Sequence, residues 1–318
     1  MDEHGERTTD TVEHLAREAP MDPATEVFVT HRNLLFTVAY EMLGSAADAE
    51  DVLQETWLRW ARVDLGTVRD RRAFLVRITT REALTRLRTL RRRKESYVGP
   101  WLPEPLLTAP DVAEDVELAD SVSMAMMLVL VLVLETLAPV ERAVFVLREV
   151  FDLGYDEIAD AVDKTPAAVR QIAHRARNHV AARRPRGDAS PAKARDALDA
   201  FQRAVQTGDM QGLLDVLAPN VVLLTDGGGV ARAAMAPVVG ADQVTLVLGR
   251  LVTAASLRTV QVNGNPALIV GLEGEADSVL TVRIDDGLVT GLYAVCNPEK
   301  LARIGLETTV SRCPEELR

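Results

Sequence analysis

The chain has 318 residues, of which 47% are hydrophobic and 26% charged, with a formal net charge of −11. That length exceeds what one core ordinarily serves, and the apolar content excludes a wholly disordered chain, so two or three globular domains are expected. Two cysteines, Cys296 and Cys313, exclude a disulfide scaffold and lack the paired spacing of a zinc site.

Residues 1–21 are polar and charged, without the apolar segment of a signal peptide, and read as a flexible tail of a cytoplasmic protein. Helical periodicity then fills residues 22–95, interrupted at Gly44 and Gly66. Residues 96–114 are a linker, because Gly99, Pro100, Pro103, Pro105 and Pro110 sustain neither helix nor central strand. A second helical unit occupies residues 115–184, and residues 185–193 form another linker with Pro185, Gly187 and Pro191. The wholly apolar run Met124–Leu134 is too short for a membrane span, which needs about 20 residues, and reads as a buried helix. Residues 194–318 change character: helical stretches at 194–207 and 210–217 precede valine-rich runs at 221–225, 257–262, 267–272, 279–284 and 288–295. Turn residues separate these runs, which predicts an α+β domain with a curved antiparallel sheet.

The negative total opposes nucleic-acid binding, but its distribution reverses that reading. Between Val68 and Lys94, eleven Lys or Arg face only Asp70 and Glu82, and between Lys164 and Arg186 there are seven basic residues and no acid. Two basic segments in an otherwise acidic chain are candidate DNA footprints.

The second lies on a helix-turn-helix pattern. Tyr155–Val162 forms a short helix, Asp163 and Lys164 turn, and Thr165 caps a new helix with Pro166 at its first position. Val169, Ile172, Ala176 and Val180 repeat at core spacing, leaving Arg170, Gln171, His174, Arg175 and Arg177 for other faces. A basic second helix of this kind suits the major groove, where Arg and Gln read guanine and adenine edges. A trihelical bundle with merely solvated arginines is the bland alternative.

Upstream, residues 48–60 form an amphipathic helix. Ala49, Val52, Leu53, Trp57 and Trp60 point inward, while Asp51, Gln54, Glu55 and Leu58 share one mixed surface. Asp226 is weighed as a catalytic base, but Asp226-Gly227-Gly228-Gly229 is first a hairpin turn.

The segment Asp48-Ala-Glu-Asp-Val-Leu-Gln-Glu-Thr-Trp-Leu58 resembles the core-binding helix of extracytoplasmic-function (ECF) sigma factors, and Ala73–Arg81 resembles their promoter-melting segment. Leu137–Arg148, Tyr155–Ala159 and Arg175-Ala-Arg177 resemble the second sigma domain. Trp101-Leu-Pro-Glu-Pro105, Asp226–Gly229 and Asn297-Pro-Glu-Lys-Leu301 resemble the sigma-factor group with a fused SnoaL-like C-terminal domain. Val230 and Glu299 depart from that group, whose members often carry a basic residue and an Asp there.

The resemblance implies two all-α sigma domains and a C-terminal α+β SnoaL-like cone. It implies docking on the clamp of the largest subunit of core RNA polymerase through Asp51, Gln54, Glu55 and Leu58. Arg77, Arg81, Arg86 and Arg88 would approach the −10 element of promoter DNA, and Thr165, Arg170, Gln171, His174, Arg175 and Arg177 the −35 element. Trp101, Pro103, Asp226, Gly227, Gly228, Asn297, Pro298 and Lys300 would form a regulatory intramolecular contact, so that a separate anti-sigma factor is not required. No cofactor, metal, membrane or enzymatic activity is implied. A helix-turn-helix regulator with a ligand domain, and an isomerase- or cyclase-like enzyme on a DNA-binding module, are the rival readings.

Overall fold

The computed structural model describes residues 22–108, 136–183, 191–252, 256–263, 265–272 and 275–305. The N-terminal tail, the acidic stretch after Pro110, the apolar run Met124–Leu134, most of the second linker and Cys313 lie outside the described residues.

Three helices make the first domain: α1 (Pro23–Leu43), α2 (Ala46–Trp60) and α3 (Arg71–Glu95). Asp22 caps α1 by accepting from the Ala24 and Thr25 amides, and Gly44 ends it in the left-handed region at φ 71°. Ser45 then caps α2 one residue later. Trp60 is fully buried, its indole N–H donating 2.8 Å to the Ala24 carbonyl, and its ring lies 5.9 Å from that of Phe74 on α3.

The second domain begins, among the described residues, with α4 (Pro139–Phe145), which widens into a π turn over Val146–Val150. Then come α5 (Tyr155–Val162) and α6 (Pro166–Arg183). Between them Asp163 takes φ 55°, and the Thr165 hydroxyl accepts from the Ala168 amide at 3.2 Å. Ile158, Ala159, Val162, Val169, Ile172, Ala176 and Val180 are buried, so the periodicity picked out the inward face. The buried apolar side chains of the two helical domains join into one cluster that runs from Ala24 to Val180.

The third domain has α7 (Pro191–Thr207), α8 (Met210–Val216), β1 (Leu217–Asp226), β2 (Val238–Val239), α9 (Ala241–Val252), β3 (Ser256–Val262), β4 (Asn265–Leu272), β5 (Glu275–Asp285), β6 (Leu288–Val295) and a short α10 (Pro298–Leu301). The sheet order is β2-β1-β6-β5-β4-β3. It is mixed rather than purely antiparallel: β1 runs parallel to β6, and the other pairs are antiparallel. Strands joined by a whole domain's length of chain are free to run the same way, whereas hairpin neighbours are not. Register shifts at Val270/Gly271 and Arg283/Ile284 insert bulges that curve the sheet. Helix α9 was not anticipated by the sequence reading; its valines and Gly249 obscure a buried Val244–Leu248 pair spaced four apart.

Alternation sorts the sheet's side chains between two faces. Leu268, Leu280, Leu292 and Ala294 meet Phe201 of α7 and Val244 and Leu248 of α9. Ala267, Ile269, Val279, Tyr293 and Val295 meet Leu301, Ile304 and, from the first linker, Leu102. The linker thus supplies part of this domain's core.

Candidate nucleic-acid interface

Helix α2 presents Asp51, Gln54, Glu55 and Leu58 together to solvent, with Leu58 51% exposed amid acids. The opposite side is buried through Ala49, Val52, Leu53, Thr56 and Trp60, while Trp57 packs 5.2 Å from the Phe28 ring. Leu58 stands one turn from Glu55 and Gln54, with Arg59 exposed beside it.

The four arginines picked from α3 have different surroundings. Arg77 lies 4.6 Å over the Phe74 ring, and Arg88 is exposed. Arg81 reaches into the second domain, donating to the Asp160 carbonyl at 2.9 Å and the Ala161 carbonyl at 3.4 Å. Arg86 turns back to α2, where it donates to Asp48 and Asp51, both at 2.6 Å. Burial works against its charge, but the two carboxylates outweigh that and raise its pKa. Arg86 therefore ties the basic helix to the acidic one, a role that a count of charges does not reveal.

On α6, Arg170, Gln171, His174 and Arg175 line one open surface depression of about 420 Å³. Arg177 lies apart, 3.6 Å from Glu149. The hydroxyl of Thr165 is spent on the helix cap, which fixes where the recognition helix begins.

The first linker is the most densely bonded segment of the site. Asp226, fully buried at the end of β1, accepts from the Tyr97 hydroxyl at 2.5 Å, the Gly228 amide at 3.2 Å, the Leu102 amide at 2.8 Å and the Lys300 ammonium at 2.7 Å. Lys300 also donates to the Leu102 carbonyl at 2.5 Å and sits 3.5 Å over the Trp101 ring. Burial first, then the hydrogen bond to Asp226, pushes the Tyr97 hydroxyl well above the ordinary tyrosine range. Asn297 caps α10 through the Glu299 amide, with Pro298 at the first helical position, and its side-chain amide donates to Tyr97. Gly228 takes φ +62°, and a Cβ there would strike the Asn297 amide; one on Gly227 would meet Ala233 at 2.6 Å. The three glycines thus begin a long loop that closes around the linker, not a two-residue hairpin. Four donors on two oxygens leave Asp226 an anchor rather than a free base.

One residue further, Pro103 is buried and Glu104 faces the first domain. Its carboxylate accepts from the Ala46 amide at 2.7 Å in the first turn of α2, and its own amide donates to the Gly44 carbonyl at 2.9 Å. The single hydroxyl proton of Tyr40 on α1 is shared between the Glu104 carbonyl at 2.6 Å and Asn263 Oδ1 at 3.0 Å. Asn263 in turn accepts from the Leu106 amide, and Leu107 bridges Val262 at the edge of the sheet. Sequence reasoning missed Tyr40, Tyr97, Glu104 and Asn263. Glu104 stands inside the Trp101–Pro105 motif, where an acid held between two prolines was the available signal.

A helix-turn-helix with an exposed basic second helix, set beside a three-helix domain, defines the class of a DNA-binding protein. Residues 27–93 match Sigma-70 region 2, and residues 127–180 match Sigma-70, region 4. The chain is 34% identical over 288 residues to the ECF RNA polymerase sigma factor SigJ of Mycobacterium tuberculosis, covering 86% of this chain and 91% of that one. It is 33% identical over 285 residues to a protein of the same species described as "Probable ECF RNA polymerase sigma factor SigI", covering 88% and 95%. The crystal structure of M. tuberculosis SigJ matches with a TM-score of 0.68 at 30% identity, covering 89% of this chain and 99% of that one. The chain belongs to the ECF RNA polymerase sigma factors, which bring core polymerase to promoters to start transcription. Among the described residues, no helix is long and apolar enough to cross a membrane.

Proposed function

We propose that this sigma factor acts in the cytoplasm without a separate anti-sigma factor, its C-terminal domain setting activity through the first linker. Asp51, Gln54, Glu55 and Leu58 dock on the clamp of the polymerase's largest subunit. Arg77 and Arg88 approach the −10 element, and Arg170, Gln171, His174 and Arg175 read the −35 element. The C-terminal domain works by contact and not by catalysis.

The observation that carries the regulatory reading is the two-sided grip on the linker. Leu102 has its amide on Asp226 and its carbonyl on Lys300, while Glu104, two residues on, caps the polymerase-facing helix. Loosening one side alters the other through a span of three residues. Run-off transcription with core polymerase on a cognate promoter tests this by comparing the full chain with Asp226→Ala and with a chain ending at Arg186. Both should change the yield of specific transcript by several-fold while still pulling down core. Equal yields from all three would remove the regulatory role.

A further inference from the structure

Tyr155 opens α5, and its ring is half-buried against the apolar cluster of the helical domains. Two guanidinium groups converge on that ring. Arg148 lies 5.0 Å from its centroid, and Arg170 of the recognition helix α6 lies 5.8 Å from it. Both distances are within the reach of a cation–π contact, about 6 Å.

The two arginines differ in how firmly they are held. Arg148 belongs to the π turn Val146–Val150, donates to the Leu153 carbonyl at 2.8 Å and pairs with Asp152 at 2.9 Å. The corner that it clasps is itself fixed. Asp152 takes φ 48°, the Leu153 amide donates to the Leu147 carbonyl at 3.0 Å, and Phe151 and Leu153 are buried to either side. The Asp152 carboxylate also reduces the repulsion that two bare guanidinium groups at one ring would feel. Arg170, by contrast, is exposed, and among the described residues no carboxylate or carbonyl holds it. The next residue of the π turn, Glu149, lies 3.6 Å from Arg177, two turns further along α6. Consecutive residues of that turn thus engage the recognition helix at two points, Arg148 through Tyr155 and Glu149 directly.

An arginine in open water samples many rotamers and loses that freedom when it meets a base edge, a cost that a preorganised side chain avoids. We infer that Tyr155 is a positioning residue for the upstream element: braced by Arg148, its ring holds the Arg170 guanidinium ready for a base. Base choice at one position then depends on a side chain that reads no base itself. The π face carries this effect and the hydroxyl does not. The inference rests on the proposed reading of Arg170 as a −35 contact.

The test uses the full chain assembled with core polymerase and a pool of promoter duplexes randomised over the upstream element. Bound DNA is sequenced to give base preference position by position. Tyr155→Leu, which keeps an apolar side chain against the core, should lower preference only at the position that Arg170→Ala lowers. The loss should be about two- to fivefold, the range of one cation–ring contact at an exposed site. Tyr155→Phe should keep the wild-type profile, and Arg148→Lys, which leaves Tyr155 untouched but loses the planar fork, should show a smaller loss at the same position. In an Arg170→Ala background, Tyr155→Leu should change nothing more, because the group it positions is gone. A loss spread evenly over all sequences in Tyr155→Leu, or a Tyr155→Phe profile that matches Tyr155→Leu, would overturn the inference in favour of a direct backbone contact or a role in folding. A position-specific effect of Arg170→Ala with none from Tyr155→Leu would overturn the inference and leave the −35 reading standing. No position-specific effect from Arg170→Ala would remove both.

Discussion

Lys300 and Asp226 form a buried ion pair, Nζ to Oδ2 2.7 Å with side chains 9% and 0% exposed, and both partners also hold the backbone of Leu102. A buried pair is costly to break from one side, because the survivor keeps its charge without a counter-ion. Asp226→Ala should therefore destabilise the full chain by about 3–5 kcal/mol, and Lys300→Met in the same background should restore part of that loss. Urea unfolding of the single and double variants gives the coupling. Additive effects would mean that the two charges do not depend on each other.

Glu104 offers a cleaner separation of the two sides of the linker. Its carboxylate caps the start of α2 through the Ala46 amide while the Asp226 contacts lie two residues back. Glu104→Ala should cost about 1 kcal/mol, the usual value of an N-terminal cap, and Glu104→Gln, which keeps an acceptor oxygen, clearly less. Because the proposed docking face lies on α2, affinity for core polymerase should fall with the same ranking. Equal core affinity for wild type, Glu104→Gln and Glu104→Ala in fluorescence anisotropy would uncouple the linker from docking.

Local elements were legible because their period is local. Val169, Ile172, Ala176 and Val180 announced the buried face of α6, and Pro103 and Pro105 announced a linker. What the linker touches was not legible, since Tyr97 meets Asp226 at 129 residues' separation and Tyr40 meets Asn263 at 223. The basic count on α3 likewise treats Arg81, Arg86 and Arg88 as equals. Only tertiary packing sends the first to helix carbonyls and the second to Asp48 and Asp51 and leaves the third exposed.

Docking and stability should separate at Leu58. Its exposure means that Leu58→Asp removes no core contact, so stability should change by less than about 0.5 kcal/mol and the thermal midpoint by no more than about 2 °C. Core polymerase binding should weaken at least tenfold, because an apolar seat then receives a charge. A variant that binds core as wild type does would move the docking face away from α2.

On the recognition helix, Arg170 and Arg177 should behave oppositely. Arg170 lines the open depression with Gln171 and His174, so Arg170→Ala should reduce discrimination at one −35 position by about 1–3 kcal/mol. Arg177 sits beside Glu149, so Arg177→Ala should weaken binding to all sequences alike, if at all. Competition binding with single-base variants of the upstream element separates the two. A uniform loss from Arg170→Ala would make it a phosphate contact.

Tyr97 ties the joint to pH with a definite sign. Burial and the neighbouring Asp226 carboxylate hold its hydroxyl protonated above the ordinary value of 10. A raised pKa means that its stabilisation is complete below about pH 10, the unfolded value, and is lost progressively from there as pH climbs through the folded value. The linker joint should thus survive an alkaline range in which an exposed tyrosine already ionises. Ultraviolet titration of wild type against Tyr97→Phe isolates this group, because Tyr293, also raised by burial, is common to both. The difference curve should show its ionisation above pH 10, coincident with a change in Trp101 fluorescence as the ring, 4.5 Å from Tyr97, loses its neighbour. A difference curve centred near the ordinary value would place Tyr97 in water and detach it from Asp226.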